Sequence, residues 1–368
     1  MRILQLTSTS AMGGTEQMVL ALAGGLNRLG HACSIFSLAG PATLTQAAAA
    51  QNIDALTFDL HSPFQLRELQ RIRAAILERR VDLIHTYGLQ ADVFGRLLRE
   101  LLGKNVRLVC GIRSIDDNRP MKKVLLDRYT SARADLFISN SEAGRQARIR
   151  RERIPARKID LIYNGIDITP IAIGRQKLKE QWAVEEGVWP VIVHVANLRP
   201  MKGHETALGA ARIIARKFLN ALFLFAGRDD SNGMIPQMAR DLGVEEHARF
   251  LGFCPRPREL LATADVMILP SSYEGCPVSI LEAMAEGCPV VASNVGGIPE
   301  LVRNETEALL VQPGKASELA GAIERIVKNT ELRRSLIQAA RERVEKNFTV
   351  EKMVEGYERA YLREIHNL

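Results

Sequence analysis

The chain has 368 residues, of which 46% are hydrophobic, 25% charged and 5% aromatic, with a net charge of +7. This composition excludes disordered, collagen-like and disulfide-scaffold proteins, and the length predicts two globular domains. The five cysteines are scattered and form no CxxC pair, which argues against a disulfide framework or structural zinc site and favours a reducing cytoplasm.

Short apolar runs alternate with amphipathic stretches of helical period, which is typical of βα units with a parallel sheet. In the first half the predicted strands are Ile3–Leu6, Ser34–Leu38, Ala55–Phe58, Leu83–His85, Leu108–Gly111, Leu136–Ser139 and Ile159–Tyr163. In the second half they are Val191–Val195, Leu222–Phe225, Arg249–Leu251, Val266–Leu269, Val290–Ala292 and Ala308–Val311. The chain from residue 316 onward is predicted to form two or three helices.

A domain boundary is predicted where the βα pattern is interrupted. Turn residues at Asn164, Gly165 and Pro170 precede a long segment without a clear strand. We therefore expect domains at residues 1–168 and 169–349, with a C-terminal helix at about 350–368 that packs back on the first domain. The two α/β halves have similar patterns and predict two doubly wound domains facing one another, with ligands in the cleft between them.

The N-terminus has a short apolar run, and no window reaches about 18 apolar residues, so we expect neither a signal peptide nor a transmembrane helix. Residues 1–170 hold 24 Lys and Arg against 16 Asp and Glu, whereas the remainder is nearly balanced. Residues 143–158, on a predicted helix, hold seven basic residues and one acidic residue. This segment is either a solvated helix face or a patch for anionic lipid head groups or a phosphorylated substrate. It has no interleaved aromatic residues and no nucleic-acid-binding motif, which argues against nucleic acid as a partner.

Two strand-to-helix loops have residue types that suit phosphate binding. Gly13 and Gly14 follow the first strand and open a helix, where backbone N–H groups are free, although a plain tight turn has the same pattern. The loop after Val195 contains Arg199 and Lys202, which supply a guanidinium fork and a point charge for a phosphate. A surface loop with two solvated cations is the alternative here, and His204 is expected on the solvent side of the following helix.

The segment Ser271–Val302 predicts a loop with Glu274 and a helix that begins near Val278 and contains Glu282. Eight positions separate the two carboxylates, so they do not share one helix face. Glu274 comes before the helix N-terminus, beside N–H groups that also attract an anion. This placement suits recognition of hydroxyl groups better than the proton transfer of a glycosidase pair. A plain surface carboxylate is the alternative interpretation of Glu282.

These carboxylates, in EGCPVSILE followed by AMAEGCPVVASNVGGIPELV, resemble the E-x7-E motif of retaining, nucleotide-sugar-dependent glycosyltransferases of family 4, which have the GT-B fold. The resemblance extends to a loop similar to G-R-L-x-x-x-K-G, in which Ala196 and Asn197 stand where Gly and Arg are common. It also includes GGTE, YNGID, FAGRDD and FLGF, and therefore covers nearly the whole chain.

The resemblance implies a role for each matching position. Arg199 and Lys202 would neutralise the donor diphosphate, Glu282 would accept hydrogen bonds from the ribose, and Glu274 would hold the donor sugar. The remaining donor-binding residues implied are Gly13, Gly14, Gly227, Arg228, Leu251, Phe253, Gly275, Cys276, Pro277, Val278 and Ser279. Pro277 has no N–H to donate, so the helix-tip contacts would come from its neighbours.

His85, in DLIHTYG, matches the first histidine of a His-x-His pattern of the family, but Tyr87 stands at the second position. A catalytic role on the acceptor side and a place in the core both remain open for His85. The acidic pairs Asp116–Asp117 and Asp229–Asp230 are interpreted as loop carboxylates, because the two cations already serve the diphosphate. We therefore expect no metal and no cofactor, with UDP as the favoured nucleotide of the donor.

The expected activity is retaining transfer of a hexosyl or N-acetylhexosaminyl group in the synthesis of surface polysaccharide, glycolipid or small glycosides. The acceptor would be lipid-linked or a small molecule. The enzyme would be cytoplasmic, and peripheral association with the inner face of the membrane is open. Two alternatives are a non-hydrolysing nucleotide-sugar epimerase of the same architecture and a binding protein with an inactive site. The four intact charged residues argue against the second alternative.

Overall fold

The computed structural model describes residues 1–62, 64–103, 106–113 and 120–366. The chain divides into two compact units. Unit 1 contains residues 1–165 together with the chain from residue 350 onward, and unit 2 contains Ile166–Thr349.

Unit 1 is built on seven parallel strands in the order β3-β2-β1-β4-β5-β6-β7. Its elements are β1 Arg2–Thr7, α1 Gly14–Arg28, β2 Ala32–Ser37, α2 Thr43–Ala50, β3 Asp54–Thr57, α3 Leu66–Glu78, β4 Leu83–Tyr87, α4 Leu89–Leu102, β5 Arg107–Ile112, α5 Met121–Thr130, β6 Leu136–Ser139, α6 Glu142–Arg151 and β7 Ile159–Leu161. The strand order reverses beside β1, and because crossovers between parallel strands are right-handed, the helices cover both faces of the sheet.

Unit 2 has six parallel strands in the corresponding order, β10-β9-β8-β11-β12-β13. Its elements are α7 Arg175–Gln181, β8 Val191–Val195, α8 His204–Ala215, β9 Leu222–Ala226, α9 Met234–Asp241, β10 Ala248–Gly252, α10 Pro257–Leu261, β11 Val266–Leu269, α11 Val278–Glu286, β12 Val290–Ser293, α12 Ile298–Leu301, β13 Leu309–Val311, α13 Ala316–Lys328 and α14 Thr330–Asn347. The order reverses between β8 and β11.

The last helix, α15 Val350–His366, belongs to unit 1 and packs on α1. Gly25 permits the close approach, because a Cβ there would lie 2.3 Å from a methyl carbon of Val354. At the edge of this contact His31 Nε2 lies 2.7 Å from Glu358 Oε1. The end of the chain is thereby fixed to the first βα unit.

The thirteen predicted strands are all present in the described part of the chain, with ends that differ from the predictions by at most two residues. The reason is that central parallel strands are covered on both faces and therefore read as continuous apolar runs. Ile84, Leu108, Ile192, Leu224 and Ile268 are examples with no exposed surface.

Candidate active site

The switch point of unit 2 brings two loops together at the carboxyl ends of β8 and β11. Lys202 lies in the loop after β8 and Glu274 in the loop after β11. Lys202 Nζ donates a hydrogen bond to Glu274 Oε1 at 2.6 Å. In doubly wound sheets this edge is where ligands bind, because the loops on either side of the switch point diverge. A cation and a carboxylate are therefore paired where a ligand is expected.

Gly203 allows the Lys202 loop to reach this position. Its φ of +71° is in the left-handed region, and a Cβ would lie 1.9 Å from the carbonyl oxygen of Pro270. Any larger residue would push the loop after β8 away from the loop after β11. Ser272 N donates to Met201 O at 2.9 Å, which ties the same two loops through their backbones.

Glu274 is held firmly in front of α11. Its side chain is 8% exposed, and Ser271 Oγ donates to Oε1 at 2.8 Å. Its carbonyl oxygen accepts from Gly297 N at 3.0 Å. Helix α11 begins at Val278, as predicted, with Pro277 at its N-cap. The first turn of a helix leaves backbone N–H groups without partners inside the helix, so this end of α11 favours an anion.

Glu282 lies within α11 and is 8% exposed, so the alternative of a plain surface carboxylate is wrong. Burial raises the pKa of Glu282 to about 7, with Arg258 acting against the shift and Glu286 adding to it. The carboxyl group therefore changes charge close to neutral pH.

Arg199 is more exposed than Lys202. Its side chain is 49% exposed, and Nε donates to Asp230 Oδ2 at 2.6 Å. Asp229 instead accepts from the backbone N and the hydroxyl of Ser231, which closes a tight turn and lowers the pKa of Asp229.

Within the described ranges, no group of three or more His, Cys, Asp and Glu is arranged to hold a metal ion. The pair Asp116–Asp117 lies outside the described residues.

The loops after β9 and β10 complete this edge of the sheet. Gly227 follows β9, and a Cβ there would lie 2.1 Å from Ala196 O, so only glycine fits. Gly227 N donates to Gly252 O at 2.8 Å, and Arg228 N donates to Asn197 Oδ1 at 3.1 Å. The loops after β8, β9 and β10 are thus joined in a row.

The other sequence-predicted positions of unit 2 differ in accessibility. Phe253 is 46% exposed, and Leu251 is partly buried. Gly275, Cys276 and Ser279 are buried near the tip of α11, whereas Pro277 and Val278 are partly exposed. The five cysteines of the described chain are free and buried, so Cys276 has no disulfide partner.

Sequence reasoning missed a pair of histidines behind the Lys202 loop, and the expectation that His204 faces solvent is wrong. His194 in β8 and His204 at the start of α8 are each 1% exposed, with ring centroids 4.5 Å apart. Burial lowers the pKa of His194 well below its usual value and that of His204 to about 4, and Lys202 acts in the same direction. Two neutral imidazoles therefore support the loop. The signal in the sequence was the position of His194 in an apolar strand.

In unit 1, Gly13 and Gly14 lie at the predicted strand-to-helix turn. Gly13 is the N-cap of α1 in an extended conformation, and Gly14 is exposed. Gln17 N donates to Gly13 O at 2.9 Å, which begins the helical bonding. The backbone N–H groups of the first turn, before Gln17, have no partner within the helix and can approach a ligand closely.

His85 lies in the core of unit 1, which was the alternative that the sequence left open. Its ring has no exposed surface, and Nδ1 is paired with the hydroxyl of Tyr361 and lies 3.0 Å from that of Tyr87. Tyr87 donates in turn to Gln5 Oε1 at 2.7 Å. Burial lowers the pKa of His85 well below its usual value, and Arg113 adds to this effect. The imidazole is therefore neutral and enclosed by side chains of unit 1.

The basic segment 143–158 forms α6 and the turn after it, and part of its charge is neutralised. Arg145 pairs with Glu142 at 3.2 Å. Arg148 pairs with Glu152 at 2.9 Å and with Asp127 of α5 at 3.2 Å. Arg150 remains exposed. The described helices include none that is both long and apolar enough to cross a membrane.

Two protein-family models match the chain, one over most of each unit. The family model for glycosyltransferase family 4 matches residues 12–169, and that for group 1 glycosyl transferases matches residues 175–343. The chain is 25% identical over 311 residues to N-acetyl-alpha-D-glucosaminyl L-malate synthase of Bacillus anthracis, covering 82% of this chain and 80% of that protein. It is 24% identical over 307 residues to UDP-Gal:alpha-D-GlcNAc-diphosphoundecaprenol alpha-1,3-galactosyltransferase of Escherichia coli, covering 81% and 79%.

Among solved structures, the chain is similar to Anabaena HepE in complex with UDP-glucose, with a TM-score of 0.88, 24% identity, and coverage of 99% of this chain and 100% of that one. These matches give no support to the epimerase alternative. The two family models together cover every strand of the two sheets except β1, and they cover the loops that carry Lys202 and Glu274. The chain is a glycosyltransferase with the GT-B fold, of the family 4 type.

Proposed function

We propose that this enzyme transfers a sugar, with retention of anomeric configuration, from a nucleoside diphosphate sugar to an acceptor hydroxyl. The observation that carries the proposal is the 2.6 Å contact between Lys202 and Glu274 at the switch point of unit 2, in front of α11. A diphosphate requires cations, and a sugar requires hydrogen-bond acceptors. This edge of the sheet supplies both within one side-chain length.

Departure of the diphosphate is the step that Lys202 and Arg199 would assist. When the anomeric C–O bond breaks, its electron pair stays on the β-phosphate oxygen, so negative charge grows there. A partly buried ammonium group and the N–H groups at the tip of α11 are fixed beforehand and stabilise that charge without reorganisation. Arg199, which is half exposed, would add a weaker, solvent-screened contribution.

The two carboxylates would bind the donor on either side of its diphosphate. Glu274, fixed by Lys202 and Ser271, would accept hydrogen bonds from sugar hydroxyls. Glu282, which lies within α11 and is 8% exposed, would accept from the ribose hydroxyls, and it does so best when ionised. The pKa of about 7 makes donor affinity sensitive to pH near neutrality.

Retention is proposed without an enzyme nucleophile. Glu274 is bound to Lys202, and a carboxylate that shares its charge with an ammonium group is a poor nucleophile. The acceptor oxygen would instead bond to the anomeric carbon on the face that the diphosphate leaves, and the acceptor proton would pass to the departing phosphate oxygen. No step in this sequence requires a metal ion.

Relatives support the choice of substrates. The E. coli relative is named for UDP-galactose and a diphosphoundecaprenol acceptor, and the B. anthracis relative for L-malate. HepE was solved with UDP-glucose. We therefore propose a UDP-linked hexose or N-acetylhexosamine as donor and a small or lipid-linked acceptor.

In unit 1, Gly13 and Gly14 would present backbone N–H groups to substrate. We leave His85 out of the site because it is enclosed.

A thermal-shift panel with UDP, GDP and ADP tests donor binding. At about 100 times its dissociation constant, the correct nucleotide should stabilise the protein by about 2.7 kcal/mol, or several degrees in Tm. We expect UDP to give the largest shift and Lys202→Ala to reduce it. The absence of a shift with all three nucleotides would overturn the proposal.

Incubation with the UDP-sugar alone separates transfer from epimerisation. A transferase leaves the sugar configuration unchanged until an acceptor is added, whereas an epimerase changes it without one. Appearance of an epimeric sugar in the donor-only reaction would exclude the proposed chemistry.

A further inference from the structure

Helix α5 of unit 1 has its apolar side turned outward. Among its described side chains, the buried ones are Val124, at 4% exposed, and Asp127, at 3%. With about 100° between successive residues, the opposite side of the helix contains Leu125, Leu126 and Tyr129, and Met121 lies beside them in the first turn. These four side chains, which we call the α5 apolar face, are 67%, 53%, 41% and 82% exposed. A surface helix of a globular domain normally buries its apolar side chains and exposes its charged ones.

Buried ion pairs fix the helix in this orientation. Asp127 Oδ1 accepts from Arg96 at 2.8 Å, and both side chains are at most 4% exposed. Asp127 Oδ2 also pairs with Arg148 of α6 at 3.2 Å. Turning α5 to bury its apolar face would remove Asp127 from two guanidinium groups in a low-dielectric interior, which costs several kcal/mol. The apolar face is therefore held outward by the fold.

The surroundings of the α5 apolar face are basic. Lys122 and Arg128 on the same helix are exposed. The segment 120–133 contains four basic residues and a single acidic one, Asp127, which is buried in the ion pairs. Through Arg148, α5 is joined to α6, where Arg150 is exposed. Exposed apolar side chains among cations complement a membrane interface that contains anionic lipid.

We infer that the α5 apolar face is a docking surface for a membrane that contains anionic lipid. Met121, Leu125, Leu126 and Tyr129 enter the interfacial region, and Lys122 and Arg128 contact lipid phosphates. The helix has ten residues, too few to span a bilayer, so it lies in the interface plane. A second copy of the chain fits less well, because a twofold contact would place like charges against each other. The inference does not depend on the identity of the donor.

Co-sedimentation with vesicles at low salt tests the inference. One set contains phosphatidylcholine alone, and the other contains phosphatidylglycerol and phosphatidylcholine in roughly equal amounts. We expect binding to the second set, weakened by added salt. Leu125→Glu with Tyr129→Glu should reduce binding at least about tenfold, because it removes buried apolar area and adds like charge to the lipid.

Matched controls use other exposed apolar residues of unit 1. Leu29 and Leu77 are 48% and 49% exposed, and Leu29→Glu and Leu77→Glu should bind vesicles as the wild type does. Lys122→Gln and Arg128→Gln should each weaken binding by about fivefold and reduce its salt dependence. The UDP-induced shift in Tm should be the same in all these variants, which shows that they fold and separates this test from that of the proposed activity.

Two results would overturn the inference. One is unchanged vesicle binding by the Leu125→Glu, Tyr129→Glu variant. The other is a wild-type protein that does not bind the vesicles containing phosphatidylglycerol. A wild-type dimer in sedimentation equilibrium that this variant dissociates would then show that the face binds a second copy.

Discussion

The two units have the same strand order around their switch points. They differ in whether the polar side chains near the carboxyl ends of their strands are fully buried or partly exposed. In unit 1, His85 is bonded to Tyr361 and faces Tyr87, which bonds to Gln5, and all of these side chains are buried. In unit 2, Lys202 and Glu274 form a pair with 27% and 8% of their side chains exposed. A buried network whose members bond mainly to one another, with His85 Nε2 left without a partner among the described residues, contributes stability, whereas a partly exposed charged pair can exchange partners with a ligand.

The energetic difference follows from charge. The histidine–tyrosine network of unit 1 is neutral, because burial holds the pKa of His85 down and raises those of Tyr87 and Tyr361. Unit 2 keeps a lysine and two carboxylates at its edge, and desolvation raises the pKa of Glu282. Substitutions of Lys202 and Glu282 in unit 2 should therefore change activity or donor binding, and those in the unit 1 network should change stability alone.

The largest expected effect is that of Lys202→Ala on donor turnover. Loss of a preorganised cation beside the leaving diphosphate should raise the barrier by about 3 to 4 kcal/mol, a fall in kcat of about 10²- to 10³-fold. The measurement is the rate of UDP release from the UDP-sugar. As control, Lys217→Ala removes another lysine of unit 2 that pairs with a glutamate, Glu324, and should leave the rate unchanged. Full turnover by Lys202→Ala would show that the proposed site is not where the diphosphate binds.

The next effect is a change in pH dependence on Glu282→Gln. Because burial raises the pKa of Glu282 from 4.5 to about 7, the folded state binds more protons than the unfolded state between these values. The contribution of this group to the free energy of unfolding therefore falls as pH rises through that window, by at most about 3 kcal/mol. Unfolding at pH 5 and pH 8 should show a smaller difference for the variant than for the wild type.

The same variant tests the role of Glu282 in binding. UDP affinity of the wild type should increase as pH rises through about 7, and the variant should bind about tenfold more weakly with a different pH profile, in which only the UDP phosphate titrates. Glu342→Gln, at an exposed position of α14, serves as control and should alter neither stability nor affinity. Identical pH profiles for wild type and Glu282→Gln would contradict this assignment.

The smallest effect is expected in the unit 1 network. Tyr361→Phe removes the hydroxyl that pairs with His85, whereas Tyr87 remains 3.0 Å from the ring. We expect a loss of about 1 kcal/mol in the free energy of unfolding by urea, with unchanged UDP affinity. Tyr129→Phe removes a hydroxyl from a side chain that is 82% exposed and should have no effect on stability. Loss of UDP binding in Tyr361→Phe would mean that the network does more than stabilise unit 1.

Much of the architecture could be predicted from local pattern. The strands, the start of α11 at Val278 and the place of Glu274 before that helix all follow from apolar runs, turn residues and capping preferences. These signals act over a few residues and are therefore visible in a single sequence. The burial of Glu282 and His204 was not predictable in this way, because it depends on strands and loops that are distant in the chain.

By itself, the sequence determined the parallel βα units, their succession along the chain and the chemical types of the groups near each strand end. Short-range periodicity encodes these features. Tertiary structure decided what those groups do. It joined His85 to Tyr361, 276 positions away, and placed Lys202 against Glu274 across 72 positions. It also locked α5 through Asp127 with its apolar side outward. Hydrogen-bond partners and solvent exposure arise from packing between distant segments, and no local pattern specifies them.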